Sequence, residues 1–130
     1  MREIKFRGLD VSLGTWSYGS LRKMNEGCEI SWFNEEGYYY DRFVIPETVG
    51  QYTGINDMDG LEIFESDVLN WSCDIGANKD VLWECIVFWS KEDCSFKINM
   101  PSGQEIHLSD MNDYSYKKII GNVYNGYKNV

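Results

Sequence analysis

Apolar and polar positions along this chain alternate in short runs, and Gly, Asn and Asp separate the runs. Ile4 and Phe6 alternate with Lys5 and Arg7, the period of two that marks a half-buried strand. Residues 8–14 (GLDVSLG) turn the chain, and Trp16, Tyr18 and Ser20 then alternate with Thr15, Ser17 and Gly19 in a second strand. A turn at Asn25-Glu26-Gly27 leads to a strand over residues 28–33, and residues 34–37 turn again. Residues 38–45 (YYYDRFVI) are rich in β-formers and stop at Pro46, which has no N–H for a central ladder. Residues 1–45 therefore predict two successive hairpins. Residues 46–62 (PETVGQYTGINDMDGLE) keep neither a strand nor a helical period and are punctuated by Gly50, Gly54 and Gly60. They are expected to form an ordered connector with one short helical turn.

The rhythm resumes at Ile63. Strands are predicted over residues 68–72, 81–89, 94–100, 104–108 and 118–124, with a loop at 75–80. In 81–89 (VLWECIVFW) both alternating sets are mostly apolar, so both faces are expected to be covered. Residues 109–114 (SDMNDY) predict a short helical turn capped by Ser109 or Asp110. Five short strands with one turn before the last is the layout of an SH3-like small barrel. The expected fold is mainly β and a single domain: N-terminal hairpins over 1–45, a connector over 46–62 and a barrel over 63–125.

Composition changes this picture little; charge changes it more. Aromatic residues make up 15% of the chain, which suits strands. The net charge of −9 is uneven: residues 1–43 carry −1, residues 44–113 carry −11 and residues 114–130 carry +3. An acidic body repels nucleic-acid phosphate and anionic lipid at long range, so both are disfavoured as partners. No apolar run approaches the length of a membrane span, and the start of the chain (MREIKFRG) has no signal-peptide pattern. Cytoplasm is the expected compartment, with Cys28, Cys73, Cys85 and Cys94 as reduced thiols.

One combination of short motifs is specific. It begins with Ile4-Lys5-Phe6-Arg7-Gly8, Asp10, Trp16 and Tyr18-Gly19, and runs through residues 44–54 (VIPETVGQYTG). Asp57 to Gly60, Ile63-Phe64-Glu65 and the closing Ile119-Ile120-Gly121-Asn122-Val123-Tyr124 complete it. In these elements the chain resembles the YopX family of phage and prophage proteins. The resemblance implies several coiled β-sheets including an SH3-like barrel, and an origin in a phage or integrated element. It implies no activity. Gly50, Gln51, Tyr52, Thr53, Gly54, Gly121 and Asn122 are the motif residues, expected to be structural. The chain departs from the family at Glu65-Ser66-Asp67, where Gly is common at the middle position, and at Asn125-Gly126-Tyr127, where an acidic-Asn-Pro continuation is common. Ser66 suggests that left-handed backbone is not required there.

The usual catalytic constellations are missing. His107 is the sole histidine and lies in an apolar-flanked strand, which reads as packing rather than general-base chemistry. No Cys-x-x-Cys pair offers a structural zinc site. Asp57-Met58-Asp59-Gly60 fails as a calcium loop, because Ile55 and Ser66 stand where acidic ligands belong; a Gly-bearing turn accounts for it. No phosphate cradle or nucleophile elbow occurs, no cofactor is implied, and an enzyme is not expected. The paired carboxylates Glu62/Glu65 and Glu92/Asp93 read as solvated surface.

The aromatics remain. Tyr38, Tyr39 and Tyr40 in succession place rings on both faces of one strand; most are expected in the core, and any left outside would anchor a protein partner. The leading expectation is a non-enzymatic protein-interaction module whose partner is a host protein, a phage protein or a second copy. The alternative is nucleic-acid binding through a basic strand pair with Arg2, Lys5 and Arg7, joined by Arg22 and Lys23 or by Lys117 and Lys118. An acidic DNA mimic and an uncharacterised enzyme rank below these.

Overall fold

The alternating runs become strands, eleven of them among the described residues, and no α-helix occurs there. The structure is a computed structural model that describes residues 3–72, 82–111 and 115–124. The strands are β1 (Phe6–Leu9), β2 (Trp16–Met24), β3 (Gly27–Phe33), β4 (Tyr39–Val44), β5 (Gly50–Asn56), β6 (Glu62–Phe64), β7 (Asp67–Ser72), β8 (Trp83–Ser90), β9 (Ser95–Asn99), β10 (Glu105–His107) and β11 (Tyr116–Asn122). They form a six-stranded sheet in the order β4-β3-β2-β1-β5-β6 and a five-stranded sheet in the order β10-β9-β8-β7-β11. The chain divides into two compact units, Met1–Gly54 and Ile55–Val130.

In the first unit, β1 to β4 follow one another as an antiparallel meander, as the two-hairpin expectation requires. Cys28, Ile30 and Val44 form the buried centre, packed by Phe6, Leu21, Trp32 and Val49. The close approach of β2 to β3 depends on Gly19, because a Cβ there would lie 2.1 Å from the Ser31 carbonyl oxygen. Pro46 opens a 3₁₀ turn over Pro46–Thr48, the expected helical turn. Thr48 Oγ1 donates to the Ile45 carbonyl (2.6 Å) and accepts from the Leu9 N–H (2.9 Å), tying the turn to β1.

The rest of the expected connector is different. Residues 50–56 are strand β5, whose start pairs with β1 through Phe6↔Gln51 and Arg7↔Gly50. Gly50 and Tyr52 are buried while Gln51 and Thr53 are half-buried, so the period of two is present. A glycine at one inward position hides it from a reading by hydropathy.

In the second unit, β7 to β10 form a meander, a 3₁₀ turn follows at Leu108–Asp110, and β11 returns beside β7. The five strands with one turn before the last match the expected layout. Among the described residues β10 and β11 are the two edges of an open sheet, with no closed barrel. The core gathers Ile63, Leu69, Cys85, Val87, Ile98, Met100, Leu108 and Met111.

Three expectations are corrected here. Strand β8 is not covered on both faces: Cys85 and Val87 are buried against the core, Trp83 and Trp89 at the two ends of that same face are more than 40% exposed, and on the opposite face Ile86 is 42% exposed because the apolar cluster lies against one side of the sheet. The turn before β11 begins one residue early, and His107 flanks it without any side-chain cap from Ser109 or Asp110. Ser66 does adopt left-handed backbone, with φ of +75°. Its N–H donates to the Val87 carbonyl (2.9 Å) and its own carbonyl accepts from the Val123 N–H (3.0 Å), so neighbouring strands hold the conformation. That geometry costs an L-residue about 1–2 kcal/mol. The loop at 75–80 lies outside the described residues.

Candidate functional site

The β3–β4 hairpin is built by its turn. Asn34 Oδ1 accepts the N–H groups of Glu36 (3.0 Å) and Tyr38 (2.9 Å), and the Asn34 N–H donates to the Tyr38 carbonyl (2.9 Å). This closure sets the register Phe33↔Tyr39, Trp32↔Tyr40 and Ile30↔Arg42. Cross-strand aromatic pairs result: Trp32 stacks on Tyr40 with centroids 5.7 Å apart, and Phe33 meets Tyr39 edge-on at 5.4 Å. The rings are largely outside. Phe33, Tyr38, Tyr39, Tyr40 and Phe43 are 46–70% exposed. The expectation that most of Tyr38 to Tyr40 would be core is therefore wrong. β4 is the edge of its sheet, and only its end, at Val44, is buried.

A shallow pocket of about 440 Å³ opens beside this hairpin, lined by Trp16, Tyr18, Trp32, Leu13, Asp10 and Arg42, with Thr15 and Ser17. Asp10 is 2% exposed. Its Oδ1 accepts the N–H groups of Ser12 (2.7 Å) and Leu13 (2.8 Å), and its Oδ2 accepts from Arg42 Nε. The Arg42 bond, with the two backbone N–H groups, lowers the Asp10 pKa to about 2. Asp10 raises that of Arg42 in turn. Behind the pocket, Arg7 Cζ lies 4.3 Å from the centroid of the Trp16 ring.

The motif residues do other work. Gly50 to Gly54 lie in β5, where the Tyr52 N–H donates to the Lys5 carbonyl (2.8 Å) and Gly54 takes a φ of +86° that an L-residue resists. Asp57 is buried and organises the turn that the calcium reading would have claimed. Its Oδ1 accepts from Asp59 and Leu61 N–H (both 2.9 Å), and its Oδ2 accepts from the Ile119 N–H (3.1 Å). Gly121 stands at an irregularity in the pairing of β11 with β7. Asn122 is fully buried, and its Oδ1 accepts the Tyr124 N–H (2.9 Å). None of these groups faces a pocket described here. A family model described as YopX protein matches residues 5–127. The chain belongs to the YopX family. No curated protein matches it.

The basic strand pair of this YopX-family protein is not assembled as expected. Arg7 is 2% exposed and packs on Trp16, so it offers no charge to the surface. Lys5 pairs with Glu3 at 3.1 Å, and Arg2 lies outside the described residues. Lys118 is 3.8 Å from Asp59.

A second polar cluster lies on β9 and β10. Ser95 Oγ is 2.9 Å from His107 Nδ1, and Lys97 Nζ bonds Asp93 (2.6 Å) and Glu105 (3.2 Å). The bond to Lys97 lowers the Asp93 pKa. The Ser–His contact lines neither of these pockets.

Among the described residues no three His, Cys, Asp or Glu side chains gather to hold a metal. Cys28, Cys85 and Cys94 are free thiols; Cys73 lies outside the described residues. Burial, helped by the Glu84 charge, pushes the Cys85 thiol up to about 11, which keeps it protonated. No helix among the described residues is long and apolar enough to cross a membrane.

The three tyrosines stand out in the sequence; Phe33, Phe43 and the Asp10–Arg42 pair do not. The NEEG turn carried a usable signal. Closing a hairpin around Asn34 puts Phe33 opposite Tyr39 and Trp32 opposite Tyr40.

Proposed function

We propose that this YopX-family protein is a protein-interaction module, acting by contact rather than catalysis, and that the β3–β4 hairpin is its contact surface. The observation that carries this reading is the set of five aromatic side chains, Phe33, Tyr38, Tyr39, Tyr40 and Phe43, left 46–70% exposed on one hairpin. Isolated exposed apolar residues are common, but five exposed aromatic side chains on one edge hairpin, with Phe33 against Tyr39 on one face and Tyr40 against Trp32 on the other, are costly to leave in water and have the composition of interface hot spots. The hairpin is also held rigid by the Asn34 turn and by paired rings, so little freedom is lost when a partner covers it. The surrounding unit is close to neutral, with six Lys/Arg against eight Asp/Glu in residues 1–54. The acidity of the chain is concentrated elsewhere.

The test compares the intact protein with a Phe33→Ser/Tyr39→Ser variant as bait, in a host lysate and in light scattering of the pure protein. The expected result is a retained partner, or a second copy, that the variant loses while its unfolding midpoint stays put. Equal retention by the two baits, with both monomeric, would remove the hairpin from consideration.

A further inference from the structure

We propose that the pocket beside the hairpin receives an acidic residue and its aromatic neighbour from the partner protein, with Arg42 binding the carboxylate. This rests on the reading of the hairpin as a contact surface and specifies the chemistry of what it contacts. The pocket and the hairpin are continuous through Trp32, which lines the first and stacks on Tyr40 of the second.

The charge layout selects the occupant. An aromatic pocket with a carboxylate suggests a cage for a cation. Asp10 is not available for that role: it is 2% exposed, and its oxygens already accept from Ser12, Leu13 and Arg42. What the pair presents outward is the cation. Arg42 is 39% exposed and uses Nε for Asp10. No hydrogen bond to its two Nη groups is found among the described residues, so the far end of the fork has N–H donors to offer. That end matches the two oxygens of a carboxylate. Asp41 adds negative charge next to Arg42, which favours a single carboxylate over a doubly charged phosphate.

The walls select the neighbour. Trp16, Tyr18 and Trp32 surround a space of about 440 Å³, room for one aromatic ring together with a short acidic side chain. Arg7 supports Trp16 without lining the pocket, and Tyr40 supports Trp32. Two of the three rings are therefore fixed before anything binds.

The experiment uses the intact protein labelled for ¹H–¹⁵N NMR and two blocked peptides, acetyl-Gly-Phe-Asp-Gly-amide and acetyl-Gly-Phe-Asn-Gly-amide. The signals followed are the indole N–H of Trp32 and the Nε–H of Arg42. The Asp peptide is expected to shift both in a saturable way, about tenfold more tightly than the Asn peptide, the scale of a charge-assisted pair. In Arg42→Lys, which keeps a charge for Asp10 but loses the fork, the difference between peptides is expected to shrink. Because the peptide comparison is made on the unaltered protein, it does not depend on that variant folding. Equal affinities for the two peptides, or no movement of the Trp32 signal, would overturn the assignment of the pocket. If the hairpin variant still loses its partner, that failure belongs to the pocket alone and leaves the contact surface standing.

Discussion

Asp10 in the first unit and Asp57 in the second are both nearly inaccessible, 2% and 5% exposed, and each holds a tight loop through two backbone N–H groups on one oxygen. They differ in what the other oxygen does. In Asp57 it takes the N–H of Ile119, 62 residues along the chain, so the carboxylate closes a piece of architecture. In Asp10 it takes the guanidinium of Arg42 on the edge strand β4, whose far end stays at the surface beside three aromatic rings. The same side chain in the same kind of turn thus serves the fold alone in one unit, and in the other also sets a charge in place. Motif membership does not separate the two; the identity of the third donor does.

The comparison can be broken most forcefully at Asp57. Asp57→Ala strips the acceptor from the N–H groups of Asp59, Leu61 and Ile119, and a loss of about 3 kcal/mol is expected in urea unfolding. A loss below about 1 kcal/mol would show that Asp57 does not close the unit.

Asp10 is read through pH. Its folded pKa of about 2 lies below its ordinary 3.8, so the native state favours the charged form. Its contribution is complete above the ordinary value and fades as pH falls through about 2. Urea midpoints taken downward from about pH 5 are expected to fall more steeply for the wild type than for Asp10→Asn. Parallel profiles would mean that the Arg42 bond does not act on Asp10 in solution.

The smallest expected effect has the opposite sign. Ser66→Gly relieves left-handed backbone at φ +75° and is expected to raise stability by about 0.5–1 kcal/mol, after the greater freedom of Gly in the unfolded chain is subtracted. A destabilised variant would show that the Ser66 side chain contributes more than its backbone costs.

Much of the fold was legible because strand residues alternate: β3, β4, β7 and β9 lie within two residues of their predicted bounds, and β2 starts where expected but runs four residues further. β5 was not, since glycine fills an inward position at Gly50 and its partner β1 is distant in sequence. Burial was less legible than strand identity. Tyr40 and Ile86 have the hydropathy of core residues, yet exposure is decided by which strand lies at an edge and which side of a sheet the core occupies. Ser66 misled because residue type reports the cost of a backbone conformation, not whether neighbouring bonds impose it. The candidate surface was half-visible: the tyrosines stood out, but the Asp10–Arg42 pair spans 32 positions and needs the closed sheet to exist.

The central claim is that the β3–β4 hairpin makes the contact, and tyrosine footprinting with and without the captured partner tests it most directly. In the free protein Tyr38, Tyr39 and Tyr40 are expected to react readily and the buried Tyr52 hardly at all. Bound partner should protect the three hairpin tyrosines and leave Tyr52 unchanged. Undiminished reactivity at all three, in a complex shown to be formed, would contradict the claim and move the contact to another face.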